Sequence, residues 1–287
     1  MLAWVERHGR ELDFRTAGRP DPWGVLVSEV MAQQTQIARV EALWPAFMAT
    51  FPSPAAMAAA SPADVIRAWR GLGYNRRALG LHRAASAIVA AGGAVPGDLA
   101  GLEALPGVGP YTARAVAAIA FGLPVGAVDV NVRRVLGRIV AGDPGQLSAA
   151  ELQAAADALV DPIRPGTWTH ALMDLGATTC RPARPDCAAC PARPWCVAAA
   201  PEAPGPAPVR SARRTGVPFE QTTRWLRGRI VDRLRDVPEG TSIAFDGGLG
   251  THSDEAVAAA VAGLLRDGIV ELDGAGRARL AGPGLAS

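Results

Sequence analysis

A chain of 287 residues, 49% hydrophobic and 20% charged, has the length and apolar content for one large domain or two ordinary ones. Its net charge of +2 carries no signature of a strongly basic nucleic-acid binder. No apolar run reaches the ~20 residues that a bilayer-spanning helix needs, and the N-terminus is charged from Glu6 onward, so a cytoplasmic protein without a signal peptide is expected. All 29 basic residues are arginine, and lysine does not occur.

From Trp4 to about Ala200 the apolar residues recur at helical spacing. Pro22 opens the segment PWGVLVSEVMAQQTQIARVEALWPAFMATF, in which Pro45 marks a break or bend. Ser61, Pro62 and Asp64 supply the cap, first position and first-turn acid of a helix that runs to Arg70 and stops at Gly71-Leu72-Gly73. Arg77 to Ala91 is the next helix, closed by Gly92-Gly93. Asp98 caps Leu99 to Leu105, and Tyr111 to Phe121 follows the turn Pro106-Gly107-Val108-Gly109. Asn131 to Val140, Ser148 to Val160 and Thr167 to Gly176 complete the helical part. Pro201 to Pro208 has the composition of a linker. Beyond it lie an Arg-rich amphipathic helix, Phe219 to Asp236, and a second helix, Asp254 to Arg266, capped by Ser253. Two short alternating runs around Asp273-Gly274 then read as a β-hairpin, an order that points to a small winged-helix-like module.

Three features carry chemistry. Gly107 and Gly109 allow a sharp turn through positive φ, and the N–H groups opening the following helix favour an anion such as a DNA phosphate. About twenty residues on, Asp129 is a single carboxylate in an apolar run. The four cysteines fall at 180, 187, 190 and 196 and nowhere else, which points to a metal site rather than a disulfide framework. Their spacing, C-x6-C-x2-C-x5-C, suits a [4Fe–4S] cluster with one thiolate per iron better than the two separated C-x2-C pairs of a zinc ribbon.

These motifs, in this order, resemble the iron–sulfur helix-hairpin-helix DNA glycosylases over Trp4 to Ala200, and SEVMAQQTQ at Ser28 to Gln36 is similar to the corresponding stretch of the MutY-type adenine glycosylases. The resemblance implies a mainly α fold: a two-lobed, all-helical helix-hairpin-helix domain at 1–200 with an iron–sulfur loop at 180–196. A Pro/Arg-rich linker at 201–217 and a small α+β winged-helix-like domain at 218–287 follow. It implies a monomer that works in the bacterial cytoplasm, associated with the nucleoid, on double-stranded DNA containing a mispaired or damaged base. Its cofactor would be a [4Fe–4S] cluster on Cys180, Cys187, Cys190 and Cys196.

By the same resemblance Glu29 is the general acid that protonates purine N7, and Asp129 stabilises or captures the oxocarbenium-like sugar. Bifunctional relatives carry lysine where Tyr111 stands. With no lysine in the chain, a monofunctional enzyme is expected, Tyr111 orienting Asp129 or the water. Gln33 and Gln34 resemble the gap-filling and partner-base residues, Tyr74 the intercalating wedge, and Gly107 and Gly109 the phosphate-binding hairpin. Phe14, Arg15, Ala32 and Asp174 fall at base-pocket positions, and Arg76 and Arg77 at phosphates. The expected reaction is hydrolysis of the N-glycosidic bond of adenine opposite 8-oxoguanine or guanine, after base flipping.

Three departures bear on the base. Phe14 stands for tryptophan and Ala32 for leucine, both removing volume, and Asn75 replaces a second tyrosine after the wedge. Thymine or uracil opposite guanine, or hypoxanthine, are therefore alternative targets, although Glu29 favours a purine. A non-catalytic iron–sulfur DNA-binding protein is a further alternative, against which Glu29 and Asp129 together argue; a zinc-stabilised transcription factor is weaker still. The 218–287 module is too short and wrongly ordered for a nudix-like reader of 8-oxoguanine. Arg224, Arg227, Arg229 and Arg233 form either a solvated helix face or a DNA-backbone contact. His8, His82, His170 and His252 are expected to be structural.

Overall fold

The computed structural model describes residues 1–16, 20–201 and 216–282. The helices are α1 (Leu2–His8), α2 (Asp13–Thr16), α3 (Pro22–Ala32), α4 (Ile37–Thr50), α5 (Pro54–Ala58), α6 (Pro62–Ala68), α7 (Arg76–Ala90), α8 (Leu99–Glu103), α9 (Pro110–Phe121), α10 (Val130–Ala141), α11 (Ala149–Leu159), α12 (Pro165–Asp174), α13 (Thr223–Arg235) and α14 (Asp254–Arg266). The strands β1 (Val270–Leu272) and β2 (Ala278–Leu280) pair antiparallel, with Val270 opposite Leu280. The fold is mainly α with a small α+β part. None of the described helices is long and apolar enough to cross a membrane.

Local chemistry sets most of these boundaries. Ser61 Oγ accepts the Asp64 N–H at 3.1 Å to start α6, and Asp98 does the same for α8 through Gly101 at 2.8 Å. Ser148 and Glu151 form a reciprocal capping box on α11. Pro45, by contrast, does not break its helix. It lies on the exposed side of α4. The interruption falls earlier, at Gln33–Thr35, where Gln34 adopts φ 53°.

The described residues divide into two compact units. One falls within Met1–Glu29, Pro96–Ala104 and Val108–Arg213; the other within Val30–Val95, Leu105–Gly107 and Arg214–Ser287. In the first, Val132, Val135 and Leu136 of α10 pack with Leu152 of α11 and with Leu172, Met173 and Leu175 around the end of α12. In the second, Leu226, Ile230, Val231 and Leu234 form one stripe of α13. That stripe shares its core with Val257 and Leu264 of α14, the hairpin, and Ile66 and Leu79 of α6 and α7. The C-terminal residues therefore do not bury their apolar faces alone. All but residues 201, 216 and 217 of the expected linker lie outside the described residues.

Candidate active site

Glu29 sits on α3, a helix buried on every side from Trp23 to Met31. Such a helix forces a carboxyl out of water unless a partner meets it. The partner is Tyr111, the second residue of α9, whose hydroxyl donates to Glu29 Oε2 at 3.0 Å. Burial pushes the Glu29 carboxyl up from the ordinary range; the Tyr111 hydrogen bond and the Arg15 guanidinium pull it back, and the nearby Asp129 carboxylate adds to the rise. Burial and the same two carboxylates hold the Tyr111 phenol well above its usual range. Tyr111, expected to orient Asp129 or the water, projects from the first turn of α9 and donates to Glu29.

Asp129 is half-buried and caps α10. Its Oδ1 accepts the Val132 N–H at 2.6 Å and its Oδ2 accepts Asn131 Nδ2 at 3.1 Å. Asn131 in turn accepts Arg134 Nη2 at 2.9 Å, and Arg134 also donates to the carbonyls of Gly176 (2.6 Å) and Cys180 (2.8 Å). A Cβ on Gly176 would lie 2.6 Å from that of Asn131, so the glycine of MDLGATTC is required by this approach. Arg138, one turn further and 1% exposed, donates to Cys180 Sγ at 3.4 Å and to the carbonyls of Arg181 and Pro182, each at 2.9 Å. One helix therefore carries the candidate catalytic carboxylate at its start and two arginines that hold the cysteine loop.

Cys180, Cys187, Cys190 and Cys196 are free thiols lining one pocket, together with Arg138, Val135 and Leu175. Burial raises the Cys190 and Cys196 thiols, and the neighbouring cysteines add to it. Among the described residues, no three His, Cys, Asp or Glu side chains converge closely enough to hold one metal ion. Four thiols around one pocket are the donor set of a multi-iron cluster with one thiolate per iron.

Asp174 is fully buried at the end of α12. It accepts Arg10 N (2.9 Å) and Arg10 Nε (2.7 Å), and both its oxygens accept Arg15 Nη1 at 3.0 Å. Burial alone would raise this carboxyl, but Arg15 and Arg10 outweigh it and hold it below the usual range. Burial and the two arginines also lower His170 to about 3, keeping it neutral. Asp174, expected at the edge of a bound base, therefore acts on the arginines; Arg15 is the group whose charge reaches Glu29. Phe14 is half-buried beside Arg15 on α2, and Ala32 ends α3. Arg10, Asn131 and Arg134 carry no sequence signal that marks them for the site. Only Asn131, two residues from Asp129, stands close enough to a motif to be suspected.

The two turn glycines differ in conformation. Gly107 has φ 80°, and a Cβ there would stand 3.1 Å from Gly80 Cα. Gly109 differs from expectation: it is extended, with φ −92°, and caps α9, and a Cβ added there would meet no atom within 4 Å. Its value is the open space it leaves before the N–H groups of α9. In the second unit, Gln33, Gln34 and Tyr74 line one groove. Tyr74 is 38% exposed with φ 46°, a strained conformation for a tyrosine. Arg77 is not available to a phosphate. Its guanidinium donates to the carbonyls of Val30 (2.9 Å), Met31 (3.0 Å), Gln33, Leu72 (3.0 Å) and Gly73 (3.1 Å), and burial lowers it to about 10. Arg76 remains 75% exposed, 3.7 Å from Asp267. His82 and His252 each meet a backbone carbonyl, at 3.1 and 2.9 Å.

Residues 27–162 match the family described as HhH-GPD superfamily base excision DNA repair protein. The chain is 46% identical over 243 residues to an adenine DNA glycosylase of Mycobacterium tuberculosis, covering 82% of this chain and 77% of that protein. It is 40% identical over 288 residues to an adenine DNA glycosylase of Mycolicibacterium smegmatis, covering 99% and 96%. The structure of a thermostable thymine-DNA glycosylase superposes with a TM-score of 0.64 at 27% identity, over 69% of this chain and 92% of that one.

Proposed function

The chain belongs to the helix-hairpin-helix family of base excision DNA repair proteins, on its MutY-type branch, and from that premise we propose that it is a monofunctional glycosylase removing adenine mispaired with 8-oxoguanine or guanine in double-stranded DNA. What supports the chemistry is the 3.0 Å hydrogen bond from Tyr111 to a buried Glu29, with Asp129 close enough to raise the Glu29 carboxyl further. A carboxyl whose proton is held more tightly by burial can donate it to purine N7, so that adenine leaves as a neutral base. As C1′–N9 breaks, Asp129 stabilises the developing positive charge on the sugar or captures C1′ transiently, and water completes hydrolysis. No side-chain amine exists in the chain to form a Schiff base, so the abasic strand stays intact.

Gln33, Gln34 and Tyr74 fill the gap left by the flipped adenine. The N–H groups behind Gly109 hold a backbone phosphate. Arg15, fixed by Asp174, faces the base beside Phe14. Four thiolates from Cys180, Cys187, Cys190 and Cys196 fit a [4Fe–4S] cluster, which when bound supplies a crosslink closing the loop. Arg134 and Arg138 tie that loop to the helix that begins at Asp129. The enzyme acts as a monomer.

A panel of duplexes containing every mismatch, with 8-oxoguanine, uracil and hypoxanthine added, tests this reading. Release of adenine opposite 8-oxoguanine or guanine, with strand scission only after alkali, is expected. Release of pyrimidines alone refutes it. A second reading is hypoxanthine, which as a purine also needs N7 protonation to leave and so would use the same buried Glu29.

A further inference from the structure

The groove beside Tyr74 is built as much by the C-terminal residues as by the helical ones. It has a volume of about 750 Å³, the size of a nucleotide site rather than an ion site. Among the described residues it is lined by seven arginines against two aspartates. Gln33, Gln34 and Tyr74 line it together with Phe219 and residues of α13.

Not all of the arginines are free. Arg227 pairs with Asp267 and Arg229 with Asp232. Arg235 is tied to Asp232 at 2.9 Å, to the Ile66 carbonyl at 2.9 Å and to Asn75 Oδ1 at 2.8 Å. Asn75, the residue that departs from the related glycosylases after the wedge, thus holds α13 against the turn that carries Tyr74. Arg233 does not line the groove. Arg224 is different. Its guanidinium lies over the Tyr74 ring at 4.1 Å and near the Phe219 ring at 5.8 Å, and among the described residues no carboxylate pairs with it. Phe219 is 51% exposed. A cation lying over two aromatic rings and paired with no carboxylate among the described residues is suited to a nucleobase face and the phosphate beside it.

We propose that this groove receives the DNA strand opposite the excised base, and that Arg224 and Phe219 contact its unpaired nucleotide and flanking phosphate. The C-terminal module thereby joins the partner-base site. The inference rests on the base-removal reading for the roles of Gln33, Gln34 and Tyr74. The strand follows from the shared groove, which Arg224 lines together with the two glutamines and the wedge.

The test uses the full chain and a duplex carrying a non-hydrolysable 2′-fluoro adenosine analogue, so that binding is read without catalysis. A 5-iodouracil is placed beside the partner base in one duplex, and beside the analogue in another. Irradiation of the first is expected to crosslink a peptide within 219–235; irradiation of the second is not. Arg224→Ala is expected to weaken binding about five- to tenfold, and Arg224→Lys to recover part of it by keeping the cation. Phe219→Ala, which truncates an exposed ring, is expected to weaken binding as well, and an unchanged melting curve for each variant shows that the loss does not come from unfolding. Crosslinks to 219–235 from the excised-base strand alone, no crosslink from either strand, or Arg224→Ala binding within about twofold of wild type overturns the proposal. Adenine release from the unmodified duplex is measured in parallel: its absence refutes base removal, while the crosslinks still report on the groove.

Discussion

Two glycines in one turn separate fold from function, and exchanging each for alanine tests the separation. At Gly107 an added Cβ meets Gly80 Cα at 3.1 Å, and both atoms belong to backbone that no rotamer change can move. The residue would also be held at φ 80°. The left-handed conformation costs about 1–2 kcal/mol and overpacking typically another 1–3 kcal/mol, so Gly107→Ala is expected to destabilise by about 3 kcal/mol. At about 2–4 °C per kcal/mol for a chain of this size, the melting midpoint falls by roughly 6–12 °C. Gly109→Ala meets no atom within 4 Å and no unfavourable φ. It loses only the advantage of glycine over alanine at a helix start, about 0.5–1 kcal/mol. Its Cβ does occupy the space before the α9 N–H groups, so duplex binding weakens although the fold survives. Thermal or urea denaturation beside a duplex titration reads both effects. A Gly109→Ala protein that melts as low as Gly107→Ala, or that binds duplex as well as wild type, refutes the reasoning.

Asp129→Asn keeps an oxygen for the Val132 N–H but removes the charge, so single-turnover adenine release is expected to fall by about 100-fold or more with the melting curve little changed. Because burial raises the Glu29 carboxyl, base release holds at low pH and declines as pH rises through the elevated value; Glu29→Gln lowers the rate at all pH values and abolishes that limb of the profile. Asp174 has a depressed carboxyl, so its contribution to stability is present above the ordinary aspartate value of about 3.9 and lost as pH falls through the lowered one. Asp174→Asn leaves Arg10 and Arg15 without their counter-charge, costs about 3–5 kcal/mol and flattens that acid dependence in urea titrations. The purified protein is expected to be brown, with about four irons per chain, and to lose colour and melting temperature together on Cys190→Ser; colourless protein carrying one zinc refutes the cluster.

Much of the helical framework is legible in the sequence because its signals are local. Ser61, Asp98, Ser148 and Ser253 cap the helices expected of them, through hydrogen bonds that span only three residues. The hairpin around Asp273-Gly274 forms in the expected place for the same reason. Pro45, expected as a break or a bend, lies inside a continuous α4, because a proline's cost depends on what surrounds its helix, which sequence does not record.

The candidate site divides along the same line. Residue types and spacing by themselves determined that a carboxyl on an apolar helix, an aspartate after a glycine turn and four clustered thiols exist, and that no lysine competes with them. Only the tertiary structure decided whom each one meets. Tyr111 reaches Glu29, 82 residues away, and not Asp129. Asp174 is enclosed by arginines more than 150 residues distant, and Arg77 is consumed by carbonyls of α3 and the wedge turn. Arg224, indistinguishable in sequence from its neighbours on α13, is singled out by the two aromatic rings beneath it. The physical reason is that caps and turns are satisfied within a few bonds along the chain. A buried charge takes whatever partner packing brings within ~3 Å, and packing is a property of the whole fold.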